Sequence, residues 1–196
     1  MICYEISIKN KKKRRMKRKH LFLIMILFVP LFLISSCQNG NPENTVAETA
    51  IDEPVSSIDY NEDLGGEPWV LDIEEATLGN ENYRVANWTG KYLQLVFMTL
   101  KPGEVIDLEM HDGHDQFIRV EEGEARVLMG KSEDDLSFDK EVSDDWSILV
   151  PAGYWHKVEN IGTTELKVYT LYGPPEHAKG TLHKTYEEAA EAHHDH

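Results

Sequence analysis

From Leu93 to Tyr172 the chain alternates between short apolar runs and turn-forming residues. The runs cover residues 93–100, 105–110, 117–122, 125–129, 146–150, 155–159 and 166–172. Between them stand Pro102-Gly103, Asp112-Gly113, Glu122-Gly123, Gly130, Pro151 to Gly153, and Gly162. Many short strands closed by Gly and Pro turns predict an all-β sandwich or barrel. The stretch from Trp69 to Pro175 spans about 100 residues, enough for one modest core. No internal repeat is visible, so a single barrel is expected. A brief helical turn is expected at residues 72–78, and a short C-terminal helix with a thin apolar face in "KTYEEAAEAHHDH".

The first 36 residues follow a different pattern. They carry nine Lys or Arg and one acid, and then the apolar run "LFLIMILFVPLFLI". A basic stretch before an apolar run shorter than a membrane span reads as a secretory signal. "LISSC", ending at Cys37, resembles the lipobox of bacterial lipoproteins, which implies lipidation of Cys37 and a domain held outside the cytoplasm on the cell envelope. Stable anchoring of this kind takes more than one acyl chain. Met16 opens a compact signal of ordinary proportions and is read as the true start. Residues 38–67 are polar, acidic and rich in Asn, Ser, Pro and Gly, the composition of a flexible tether. The expected organisation is a signal peptide at 1–36, a tether at 37–67, a barrel at 68–175 and a His-rich, partly helical tail at 176–196.

Removing the signal changes the charge. The whole chain of 196 residues has a formal charge of −15; residues 37–196 keep 11 basic against 34 acidic side chains, which leaves −23. Such a surface repels nucleic acid and anionic membranes and favours cations or neutral ligands. Cys3 falls in the signal, so the mature chain has no pair of cysteines for an internal disulfide. No glycine-rich nucleotide loop, serine-nucleophile motif or cysteine-metal pattern is present.

Two spacings carry the chemistry. Gly103 is followed by five residues, then Glu109, Met110 and His111; four residues later comes Gln116, and six after that Gly123. Further on, "PAGYWHKVEN" places Pro151, Gly153, His156 and Asn160. These resemble the two motifs of the cupin barrels over roughly residues 88–172. The family's first motif runs Gly, five residues, His-x-His, three or four residues, Glu, six residues, Gly. Its second runs Gly, five residues, Pro-x-Gly, two residues, His, three residues, Asn. Three positions depart from the pattern: Glu109 replaces the first His, Gln116 replaces the Glu, and Asp145 replaces the leading Gly of the second motif. The resemblance implies a jelly-roll barrel, often a homodimer, with a divalent metal on Glu109, His111, Gln116 and His156. The wording of the chain also resembles a bacterial single-domain cupin subfamily whose members are loosely labelled sugar-phosphate-isomerase-like. That label rests on fold and does not decide a reaction.

Strand alternation agrees. Asp107, Glu109 and His111 share one face of a strand, with Ile106, Leu108 and Met110 on the other. In an ordinary half-buried strand the polar face would meet solvent. Convergence with Gln116 and His156 would instead make it line a cavity, with Ile106, Leu108 and Met110 outside against another layer. Two imidazoles and a carboxylate suit Fe, Mn, Ni or Zn with positions left open. The alternative is a metal-free barrel whose buried polar groups bind a ligand or satisfy each other.

His114, in the Asp112-Gly113 turn, is expected in solvent, and Arg119 on the outer face beside an acid. Tyr92, Phe97, Phe117, Tyr169 and Tyr172 are read as core or interface, Tyr154 and Trp155 as core or pocket mouth. His177, His183 and the terminal "HHDH" could bind metal or simply be solvated. The functions compatible with this reading are a metal-dependent dioxygenase or sugar isomerase acting on a small molecule, or a non-catalytic binding module for a small ligand or metal.

Overall fold

The computed structural model describes residues 58–194; the signal sequence and Cys37 lie outside them. Ten strands and two helices follow in order. Helix α1 is Ile73–Gly79, and strands β1 to β5 are Arg84–Thr89, Gln94–Leu100, Val105–Met110, Asp115–Glu122 and Glu124–Gly130. Strands β6 to β10 are Phe138–Ser143, Ser147–Val150, Trp155–Asn160, Leu166–Gly173 and Leu182–His183, and helix α2 is Tyr186–His194. They form a six-stranded sheet, β10-β1-β2-β9-β4-β7, and a four-stranded sheet, β3-β8-β5-β6. All pairings are antiparallel. This is the expected all-β jelly roll.

Between the sheets lies one core. Val96, Met98 and Leu100 of β2 meet Ile118, Val120, Val127, Val158, Leu166 and Val168 there. β2 is buried along its whole length, because its other face is covered too. Leu95 and Phe97 pack under Ile58, Tyr60, Trp69, Leu71 and Ile73. Asp72 caps α1 by accepting a hydrogen bond from the Glu75 amide at 3.1 Å, satisfying one of the open amides of a first turn.

The folded part is larger than the apolar pattern suggests. Within the segment expected as tether, Asp63 accepts hydrogen bonds from the amides of Gly65, Thr89 and Gly180. Asn87 donates to the carbonyls of Asp59 and Glu62. The chain from Ile58 to Glu67 is therefore part of the domain. The expected tail also folds back: Leu182 and His183 pair with β1, and Tyr186 of α2 donates to Asp107 at 2.9 Å.

One expectation of strand alternation fails. The pairing of β3 with β8 slips between Ile106 and Glu109. Ile106 opposes Val158 and Glu109 opposes His156, and Ile106, Val158 and His156 are all fully buried. An extra residue in one strand shifts the pleat by one. It turns Ile106 inward as well as Glu109, so Ile106 is core rather than part of an outer apolar layer. Asp107 meets α2 instead of following Glu109 toward His156.

The second motif's missing glycine leaves a trace. Asp145 has φ 72°, the left-handed region that glycine tolerates best and Asp or Asn next. Its carboxylate takes a hydrogen bond from Arg119 at 2.8 Å, and Arg119 also donates to Glu121, the outer-face ion pairs expected for Arg119.

Candidate metal centre

Four elements bring the site together. Glu109 is the penultimate residue of β3, His111 lies just past its end, and Gln116 and His156 are the second residues of β4 and β8. The loops are tied to one another: the Gly153 amide donates to the His111 carbonyl at 2.8 Å. Asn160 locks the other end of β8, donating to the carbonyls of Leu100 and Thr164 and accepting from the Gly162 amide. The Gly of the second motif therefore acts through its backbone amide, and the Asn through side-chain hydrogen bonds to neighbouring backbone.

Glu109 Oε1 lies 3.3 Å from His111 Nε2 and 3.3 Å from His156 Nε2. All three atoms are buried, and none has a hydrogen bond of acceptable geometry. Neighbouring ligand atoms around a tetrahedral ion with bonds near 2.1 Å stand about 3.4 Å apart. The observed contacts match that edge better than the roughly 2.7–2.9 Å of a charge-assisted hydrogen bond. His156 Nδ1 is 3.3 Å from the Tyr154 carbonyl, a partner that keeps the ring proton on Nδ1 and leaves the Nε2 lone pair facing Glu109. The donor set fits a divalent ion.

Gln116 stands on the opposite sheet, 2% exposed. Its Nε2 donates to Thr170 Oγ1 at 3.1 Å and to Tyr172 Oη at 3.0 Å. That leaves Oε1 buried and without a hydrogen bond, the oxygen that could complete the set. The Tyr172 ring stands 5.9 Å from that of His111 and links Gln116 to the other three residues.

The charges within the site are coupled. Burial alone would raise the Glu109 carboxyl, but close contact with His111 and His156 outweighs it and holds the group far below the usual carboxylate range. Burial would lower His111, yet Glu109 and Glu176 hold it above the ordinary imidazole value. Burial pushes Tyr172 and Tyr83 well above the usual phenol range.

His114 is not in solvent. Its side chain is 7% exposed, and its ring stacks on His111 with centroids 4.5 Å apart. Burial and the neighbouring His111 lower its pKa. Glu176, which the apolar pattern did not single out, reaches both rings: Oε1 lies 3.7 Å from His111 Nδ1 and Oε2 lies 3.4 Å from His114 Nε2. His177 sets its ring edge-on to Tyr172 at 5.2 Å. Glu176 and His177 lie beyond both motifs, in a loop that no strand period reaches. The signal available in the chain is the His-Asp-Gly-His spacing of His111 and His114, which the motif spacing does not include.

Comparison with known proteins agrees with this architecture. Residues 96–172 match the Cupin domain model. The chain is 49% identical over 130 residues to the Bacillus subtilis protein YrkC, covering 66% of this chain and 70% of that one. It is 40% identical over 115 residues to a protein of Acanthamoeba polyphaga mimivirus, covering 58% and 70% respectively. A crystal structure of a Bacillus halodurans protein, 48% identical, superposes with a TM-score of 0.66 over 66% of this chain and 98% of that one. The motifs, the two-sheet barrel and these relatives together make the chain a member of the cupin family.

Proposed function

We propose that the protein binds a divalent metal through Glu109, His111, His156 and Gln116, and that the ion binds a small molecule at its open positions. The observation that carries this is the contact of three buried lone-pair atoms, on Glu109, His111 and His156, without hydrogen-bond partners; Gln116 Oε1 is buried and unpaired as well. Nearly all buried polar groups in folded proteins are paired, so three in mutual contact ask for a ligand. When bound, such an ion supplies Lewis acidity or, if it is iron, dioxygen activation.

Of the two enzymatic readings, dioxygenase chemistry has the better support. Sugar isomerisation needs a group outside the metal set to move a proton. Tyr83 donates to the Val105 carbonyl at 2.6 Å, Tyr172 accepts from Gln116, and both are held protonated by burial. An isomerase would have to use His114 or Glu176 at the mouth of the barrel. Untagged protein purified without oxygen is expected to carry iron, manganese, nickel or zinc, with oxygen uptake on addition of substrate if the metal is iron. Failure to retain any of the four after reconstitution would overturn the metal reading.

The lipobox supports a surface-tethered protein, tested by fatty-acid labelling that Cys37→Ser abolishes. The apolar outer face carrying Phe117, Leu149 and Leu171, with Leu149 68% exposed, supports a homodimer. A monomeric mass in solution would remove that part of the proposal.

A further inference from the structure

His111 has two ring nitrogens, and the centre above uses only Nε2. Nδ1 points the other way, to Glu176 Oε1 at 3.7 Å. Beside it, His114 Nε2 lies 3.4 Å from Glu176 Oε2. These separations of 3.7 and 3.4 Å exceed the 2.7–3.2 Å typical of N–H···O hydrogen bonds and lie at or slightly above the ligand-to-ligand edge of about 3.4 Å expected around an ion. His114 Nε2 is buried and makes no hydrogen bond, on a side chain more than nine-tenths buried. The ligand atoms of His111, His114 and Glu176 all fall within 4.8 Å of one another. Glu176 itself is 35% exposed, which gives an ion a path in from solvent.

The loop carrying Glu176 is held in place. Gln94 is fully buried and grips the backbone twice. Its Oε1 accepts from the amides of Glu176 and His177, and its Nε2 donates to the His177 carbonyl. A buried side-chain clamp that fixes a carboxylate over a stacked imidazole pair is the support a preorganised site requires.

The geometry points to a second divalent-cation site at the barrel mouth, formed by His114 and Glu176 and sharing His111 with the inner ion. This rests on the inner metal reading only for the shared imidazole. Two imidazole nitrogens and a carboxylate select a borderline ion such as Zn²⁺ or Co²⁺. With both nitrogens engaged, His111 releases its remaining ring proton to solvent. The acidic mature chain favours cation entry.

Cobalt(II) tests this directly. The protein is the untagged full chain with His193, His194 and His196 replaced by alanine, so that the terminal histidines add nothing to the count. Equilibrium dialysis and visible absorption follow each titration, and unchanged circular dichroism confirms folding. The parent is expected to bind two Co²⁺ per chain. Glu176→Gln and His114→Ala should each remove one ion and keep the spectrum of the other; His156→Ala should remove the complementary one. Gln94→Ala should weaken the outer ion by roughly 10-fold, as outer-shell losses do, and leave the inner ion unchanged. One Co²⁺ in the parent, unaffected by Glu176→Gln and His114→Ala, overturns the outer site and leaves the inner reading standing. Loss of all cobalt in His156→Ala also overturns an independent outer site. No cobalt in the parent overturns both.

Discussion

Strands β2 and β9 pair from Gln94 opposite Tyr172 to Leu100 opposite Leu166, and each end carries a buried polar group of a different kind. At the Thr99 end, under α1, hydrogen bonds close on themselves. Lys167 donates to the carbonyls of Leu78 and Asn80. Asn80 donates to Thr99 and the Asn82 carbonyl and accepts from the Asn82 amide, and Thr99 donates back to the Asn80 carbonyl. At the Tyr172 end, Glu109, His111, His156 and Gln116 keep lone pairs with no such partner. Both regions are buried, polar and charged. Of these two regions only the second has lone pairs left over, so burial of charge does not by itself mark a candidate site, whereas several unpaired ligand atoms in mutual contact do.

The sharpest way to break this contrast is to remove one member at each end. His156→Ala should weaken metal binding by more than the roughly 100-fold ceiling of outer-shell partners, and it also costs the metal-free protein a cavity and the Glu109 contact; dialysis and urea unfolding measure the two. Lys167→Met should touch stability alone. It leaves the carbonyls of Leu78 and Asn80 underpaired, at about 1–3 kcal/mol per buried group, with metal affinity unchanged. If Lys167→Met weakened the metal as strongly as His156→Ala, the two ends would be a single region.

The contrast also has a pH signature. Glu109 is depressed, so its stabilising contribution is present above the ordinary carboxylate range and disappears as pH falls through its lowered value. His111 is raised, so its contribution is full below about pH 6.5, the ordinary imidazole value, and is lost as pH rises through the raised value. The metal-free protein should therefore melt highest in mild acid and lower toward alkaline pH. The metal-loaded protein should show the opposite slope, because ligation needs neutral imidazole. Glu109→Gln should flatten the metal-free profile, and Lys167→Met should shift it without changing its shape.

A smaller effect is expected from Gln116→Glu. A carboxylate replaces the amide, so metal affinity should rise about 10-fold by added charge. Thr170 and Tyr172 can turn their hydroxyls to donate, so the metal-free protein should lose only about 1 kcal/mol. Calorimetric titration and thermal melts read both.

Much of this architecture was legible in the chain, for physical reasons that also mark where reading stopped. β3 was expected at 105–110 and forms there, because alternation and glycine turns agree. β6 was missed: its sequence FDKEVS is mostly exposed on a sheet edge, where no apolar period is required. β1 was missed because its buried residues include Arg84 and Asn87, and the Asn87 side-chain nitrogen donates to a segment that looked like linker. Fixed spacing picked out Glu109, His111 and His156 because the paired strands β3 and β8 hold them in register. It could not find Glu176 or assign a place to His114, since loops carry no period. The bulge after Ile106 was invisible for a related reason: alternation assumes a pleat with no extra residue.

The hydrogen bond from Gly153 to the His111 carbonyl has a consequence for how the gene can change length. It joins the loop before one ligand strand to the loop after another, so the distance from Pro151 to His156 is also the distance that sets His111. A single-residue insertion between Gly153 and His156, touching no ligand, would pull both histidines out of place together. The exposed turn around Glu133 has no such tie to the centre and should accept the same insertion with the centre intact.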